Sequence, residues 1–289
     1  MKCLIPSKKT LLAGSLLLVM LGVLVGGWGG YRHFAPVSAA KGWHYRVFKD
    51  AIDGVSALAI MGDGSLYFTQ EFGNEKGTLL RLEADGSVCC ALNQLSKPDG
   101  LATFRSNLLI SQEGGHRPLL ILNGTDTSPL FWAENLEGIA SDETFIYAVE
   151  DLPQGRLLQF DPVNDQLKVL RSGLHEPEGL CITPDGHLFY TEKGLGTVKQ
   201  WNPHDPDRIV LAGLNQPGFV CWSEAGLWIT EDATHGARLL LIKNNGTLQV
   251  ILKHLRSAQT LLPLDNGHYL LAEQGRDRIL EIIPAEVKK

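Results

Sequence analysis

Residues 177–201 read PEGLCITPDGHLFYTEKGLGTVKQW. The stretch divides into a short apolar strand, an Asp185-Gly186 turn, a β-rich strand ending in Glu192, a brief loop and a further apolar strand ending at Trp201. Asp-Gly suits a tight hairpin because both residues tolerate positive φ. Nothing in the stretch repeats at the 3.6-residue spacing of a helix. The same pattern recurs along the chain. Its second strands read LYFTQE (Leu66–Glu71), LLISQE (Leu108–Glu113), IYAVED (Ile146–Asp151), LFYTE (Leu188–Glu192), LWITE (Leu227–Glu231) and YLLAE (Tyr269–Glu273). The closing acids are 42, 38, 41, 39 and 42 residues apart. Third strands follow at a near-constant offset, and Asp63-Gly64, Asp85-Gly86, Asn245-Gly246 and Asn266-Gly267 supply further turns. Six β-rich units of about 40 residues predict an all-β, six-bladed β-propeller of four-stranded antiparallel blades. After Glu273 there is room for a third strand but hardly a fourth. His44–Lys49 (HYRVFK) alternates like a strand and is expected to complete the last blade and close the ring.

The chain then falls into residues 1–40 and a propeller over 41–289. Lys8 and Lys9 precede a stretch without charge from Thr10 to Tyr31, long enough to span a bilayer as a helix. Lysines before the span, with only Arg32 close after it, place the N-terminus in the cytoplasm. The expectation is a cytoplasmic flank, a transmembrane signal-anchor and a linker, with the propeller held outside the cytoplasm. Val37-Ser38-Ala39 and Ser38-Ala39-Ala40 resemble signal-peptidase sites, and cleavage there would release the propeller instead.

The formal net charge is −6, and the first forty residues hold four cations and no acid. The remainder therefore carries −10, from 22 Lys and Arg against 32 Asp and Glu. That balance argues against nucleic acid as a partner and suits metal cations or a small ligand. The cysteines form no disulfide framework. Cys181 and Cys221 occupy matching repeat positions, and the adjacent Cys89-Cys90 pair lacks metal-ligand spacing.

In a blade, the inner strand starts on the face where the second strand ends, so these two places converge at one mouth of the central channel. The inner-strand starts read Lys97-Pro-Asp99-Gly, Asn135-Leu-Glu137-Gly and Glu176-Pro-Glu178-Gly. Gly218, Gln259 and Asp53 or Ser56 hold the place in the other blades. Like charges a few ångströms apart cost roughly 1 kcal/mol per pair in water and about 4 at an effective dielectric of 20. Asp99, Glu137 and Glu178 are thus candidate ligands for a hard divalent ion with oxygen ligands, Ca²⁺ or Mg²⁺. The second-strand acids recur in every blade and are expected to accept backbone N–H groups. His116, His175 and His235 fall in loops on this face as candidate general bases or ligands. Arg117, Arg238 and Arg276 follow those loops and could meet an anionic ligand or neutralise the acids. No GxSxG, P-loop, dinucleotide fingerprint or HExxH motif is present in the globular part, which removes the reaction classes those motifs serve.

The quoted unit resembles a repeat of the senescence-marker-protein/gluconolactonase superfamily. It is also similar to NHL repeats and to the repeats of virginiamycin B lyase. In the gluconolactonase-like enzymes a divalent metal sits at the channel mouth, held by an acid of the first blade and by Asn or Asp at inner-strand starts. The resemblance thus implies Asp99 as a ligand, with Glu178 on a like position. The family's first-blade Glu is replaced by Ser56 or Asp53, and no Pro-Asn-Gly start supplies the Asn. The expected function is a metal-dependent lactone or ester hydrolase acting on a small molecule. The alternatives are a non-catalytic propeller binding a surface ligand or protein, and a lyase of the streptogramin type.

Overall fold

Turn residues at fixed offsets and alternating apolar strands fold as the repeats require. The computed structural model describes residues 20–31, 35–142 and 144–285. The chain divides into two units, Met1–Val37 and Ser38–Lys289.

The second unit is a ring of antiparallel sheets, one per repeat. Blade one runs Val55–Ile60, Leu66–Gln70, Gly77–Leu82 and Val88–Leu95, from the axis outwards. Blade two starts at Leu101–Phe104, blade three at Leu136–Ser141, blade four at Leu180–Ile182, blade five at Pro217–Ser223 and blade six at Ala258–Pro263. The outer strand of blade six is Trp43–Lys49, paired antiparallel to Arg278–Pro284. The ring therefore closes by joining the two ends of the propeller sequence. Ser38–Ala39, which carries both peptidase-like motifs, pairs with Leu252 and Lys253 as a fifth strand of blade five.

Apolar faces pack between blades rather than inside one. Phe104, Leu109 and Phe131 of blade two meet Ile139, Ala148 and Phe160 of blade three. Tyr147 and Val149 meet Leu180, Leu188 and Tyr190 at the next seam. Each such side chain contributes about 1.5–3 kcal/mol when fully buried, so no blade is stable without its neighbours. Near the axis the inner strands touch. A Cβ on Gly100 would stand 2.2 Å from the Glu137 carbonyl oxygen, and one on Gly138 2.1 Å from that of Glu178. The glycine after each acidic start therefore exists for close backbone approach, and it brings the three acids onto touching strands.

In the first unit, residues 20–31 are helical. Among the described residues no helix is long and apolar enough to cross a membrane. Residues 10–19 of the expected span lie outside the described residues. The bilayer-spanning helix is not found among the described residues, and the expected membrane anchor through an N-terminal helix is overturned.

Candidate metal centre

Two residues before each mouth position the backbone is left-handed in every blade: Gly54, Lys97, Asn135, Glu176, Gln216 and Ser257 have φ between 41° and 63°. This kink turns the side chain two residues on to the channel mouth. Those side chains are Ser56, Asp99, Glu137, Glu178 and Gln259, all 4% exposed or less, with Gly218 at the remaining position.

The second strands supply the other half. Glu71, Glu113, Asp151, Lys193, Asp232 and Gln274 each donate a backbone N–H to the carbonyl of a kinked residue, at 2.7–3.0 Å. These six are equivalent and stand at the mouth. One residue earlier, on the opposite side of the strand, are Gln70, Gln112, Glu150, Glu192, Glu231 and Glu273. Glu150, Glu192, Glu231 and Glu273 accept the backbone N–H groups of Glu134, His175, Asn215 and Arg256. Each also pairs with a cation of its own blade: Arg156, Lys199, Arg238, and the two residues Arg276 and Arg278. The acids read as one recurring set are thus two sets. Glu192, Glu231 and Glu273 hold backbone as expected. Glu71, Glu113 and Asp151 are offset by one residue and face the channel, since a single step reverses a strand side chain.

Lysines offset part of the mouth's charge. Lys97 bridges Glu113 and Glu71, the latter at 3.3 Å. Lys193 bridges Glu178 and Asp232, the latter at 2.9 Å. The Ser56 hydroxyl donates to Asp99, and Gln259 donates to Asp232 at 2.9 Å. Gln274 donates to Glu71 at 2.5 Å. Among the described residues, only Glu137 and Asp151 of the mouth acids receive no side-chain donor, and Oδ1 of Asp151 is buried without a hydrogen bond.

Carboxylate oxygens of Glu71, Asp99 and Glu113 come within 4.8 Å of one another, as do those of Glu113, Glu137 and Asp151. The expected ligands are thereby distributed. Asp99 joins the first group and Glu137 the second, while Glu178 belongs to the Lys193 bridge. Burial, then repulsion from Glu71 and Glu113, pushes the Asp99 carboxyl well above the ordinary range. Burial, then Glu178 and Asp99, does the same to Glu137. Asp151 is pushed up to about 6 by burial and then by Glu113. Burial opposes the charge on Lys193, but Glu178 and Asp232 outweigh it and hold the amine above its usual value.

The histidines stand differently. His116 is exposed, stacks on Trp132 and lies 3.6 Å from Glu134. His175 uses its backbone N–H on Glu192, and its side chain is exposed. His235 is half-buried in the loop after Asp232. Arg238 and Arg276 serve the buried acids, while Arg117 pairs with Glu75 at 3.1 Å. The mouth residues missed from sequence are Glu71, Glu113, Asp151, Lys193 and Asp232.

The architecture matches solved propellers. A gluconolactonase from Xanthomonas campestris superposes with a TM-score of 0.70 at 14% identity, over 84% of this chain and 90% of that one. The chain shares the six-bladed fold of the gluconolactonase-like proteins. An auxiliary nutrient binding protein from Bacteroides ovatus gives 0.64 at 12%, over 86% and 76%. A chain of a nidogen–laminin complex gives 0.59 at 18%, over 74% and 92%. No family model and no curated protein sequence matches the chain.

Proposed function

We propose that the channel mouth holds a divalent cation on Glu113, Glu137 and Asp151 and that the protein hydrolyses a lactone or ester there. One observation carries this reading. Two lysines offset four mouth acids and a hydroxyl engages a fifth, yet Glu137 and Asp151 stand beside Glu113 with no donor. Buried carboxylates without a partner cost several kcal/mol unless they are protonated or bind a cation. The all-oxygen donor set suits Ca²⁺ or Mg²⁺. Bound, such an ion would polarise a carbonyl and ease deprotonation of water. The chain's own residues supply the rest. The kinked backbone holds the carboxylates, Lys193 fixes one oxygen of Glu178, and burial keeps water scarce. The gluconolactonase likeness supports the reaction class, by fold alone.

The lysine bridges also favour a second reading, a non-catalytic binding propeller, because they leave the mouth partly neutral without an ion.

Thermal melting with EDTA, Ca²⁺, Mg²⁺, Mn²⁺ or Zn²⁺ separates the two. An ion at about 100 times its Kd should add roughly 2.7 kcal/mol, a shift on the order of 5–10 °C for a domain this large. The shift should vanish in Glu137→Gln and Asp151→Asn and persist in Glu178→Gln. A lactone and ester screen with the ion that shifts Tm then tests the chemistry. No shift with any ion would sink the cation and leave the binding reading.

A further inference from the structure

The cavities described in the propeller lie along its axis and on the face opposite the acids. A channel of about 360 Å³ follows the axis between the inner strands of all six blades. It widens at the opposite face into a vestibule of about 1100 Å³, with Ile60, Thr103, Ser141, Ile182 and Trp222 lining both. Its other end reaches Gly100, next to Asp99, and Thr230. At the Gly218 position the wall is tight: a Cβ there would stand 3.2 Å from the Cβ of Asp232, 3.4 Å from Oε2 of Glu178 and 3.6 Å from Oγ1 of Thr230.

The lining changes with depth. Arg105, Asp142 and Asp265 border the vestibule, whereas no charged residue lines the channel. Its wall is mostly Leu, Ile, Ala, Val, Phe and Trp. The volume lies at the low end of small-molecule sites and equals about a dozen water molecules. An uncharged, mostly apolar bore fits an unbranched alkyl chain.

We infer that the channel is a binding site for a linear alkyl chain and that, under the hydrolase reading on which this part rests, it takes the alkyl tail of a lactone or ester whose carbonyl stands at the acidic ring. Each methylene moved from water into the bore should tighten binding about fourfold.

Straight-chain primary alcohols, titrated in EDTA and followed by tryptophan fluorescence, test the channel without any chemistry. Affinity should rise about fourfold per methylene until the bore is full. Cys221 and Ile182 line the channel and are part-exposed, so Cys221→Phe and Ile182→Phe should each flatten that slope. Cys221→Ser should keep the slope, and melting curves check that the variants fold. With the cation present, alkyl lactones of increasing chain length should show the same slope in kcat/KM. Affinity indifferent to chain length, or a slope that survives both Phe variants, overturns the site. A slope with alcohols but no hydrolysis of any lactone or ester keeps the channel and discards the hydrolase.

Discussion

Glu150 and Asp151 are neighbours in sequence and opposites in role. Glu150 is fully buried, accepts the Glu134 N–H and pairs with Arg156. Glu150→Ala removes both partnerships and strands a buried N–H, so it should cost about 2–3 kcal/mol and leave any cation response intact. Asp151 works the other way. Its folded pKa of about 6 exceeds the ordinary 3.8, so the folded protein holds this proton more tightly than the unfolded chain does. Without a cation, its contribution is harmless below pH about 4 and lowers stability progressively up to about pH 6. A shift of that size is worth up to about 3 kcal/mol. Asp151→Asn should therefore raise Tm at pH 7 in EDTA and flatten its fall between pH 4 and 6, whereas the wild type should gain from the ion instead. Binding must expel protons from Glu137 and Asp151, so cation affinity should strengthen as pH rises through this range. A Tm for Asp151→Asn that is lower than wild type in EDTA would show that the carboxylate is stabilised internally.

At the scale of the strand, the mouth is built by a repeated kink. Five non-glycine residues, Lys97, Asn135, Glu176, Gln216 and Ser257, hold left-handed backbone, at a cost of about 1–2 kcal/mol each. Gln216 is exposed, so Gln216→Gly isolates the backbone term. It should stabilise by up to about 1 kcal/mol, while β-branched Gln216→Val should destabilise by at least that much, as read from denaturant midpoints. Strand identity was legible because alternation and Asp-Gly or Asn-Gly turns are local signals. The three inner-strand acids were legible for the same reason, since Asp-Gly and Glu-Gly mark a close approach. Which second-strand acid faces the channel was not. Blades one and two carry Gln70 and Gln112 at the backbone-holding position, followed by Glu71 and Glu113, so aligning on the last acid slips the register by one. Only the partners reveal the slip: Gln70 is met by the Thr78 hydroxyl at 2.9 Å, and Gln112 donates to the Pro118 carbonyl at 3.2 Å. The lysine bridges were illegible too, because Lys193 reaches Asp232 across the seam from blade four to blade five.

Closure decides whether the molecule is one cooperative ring. The closing strand could be foreseen by counting: six repeats that start at an inner strand leave the last blade one strand short, and HYRVFK was the only alternating segment before them. The membrane span could not be tested so simply, because hydropathy says that a segment can cross a bilayer and not that it folds as a helix of sufficient length. In the ring, Trp43 packs on Trp228 of blade five and Tyr269 of blade six, with centroids 5.5 and 6.2 Å away. Arg46 pairs with Glu281 at 2.6 Å, and His268 reaches the same carboxylate at 2.7 Å. Deleting residues 1–49 would bare the edge of Arg278–Pro284, whose Ile279, Leu280 and Ile282 are fully buried, and would cut the direct covalent link from the last blade's outer strand to the first blade. The expected outcome is loss of more than about 10 °C in Tm or outright aggregation, since an exposed apolar edge templates pairing. Deleting residues 1–40 removes the two-residue strand on blade five and keeps Trp43–Lys49, so the ring should still melt in one transition. If both truncations melted alike, the outer strand of blade six would be dispensable, and cohesion would have to come from the apolar seams between blades alone.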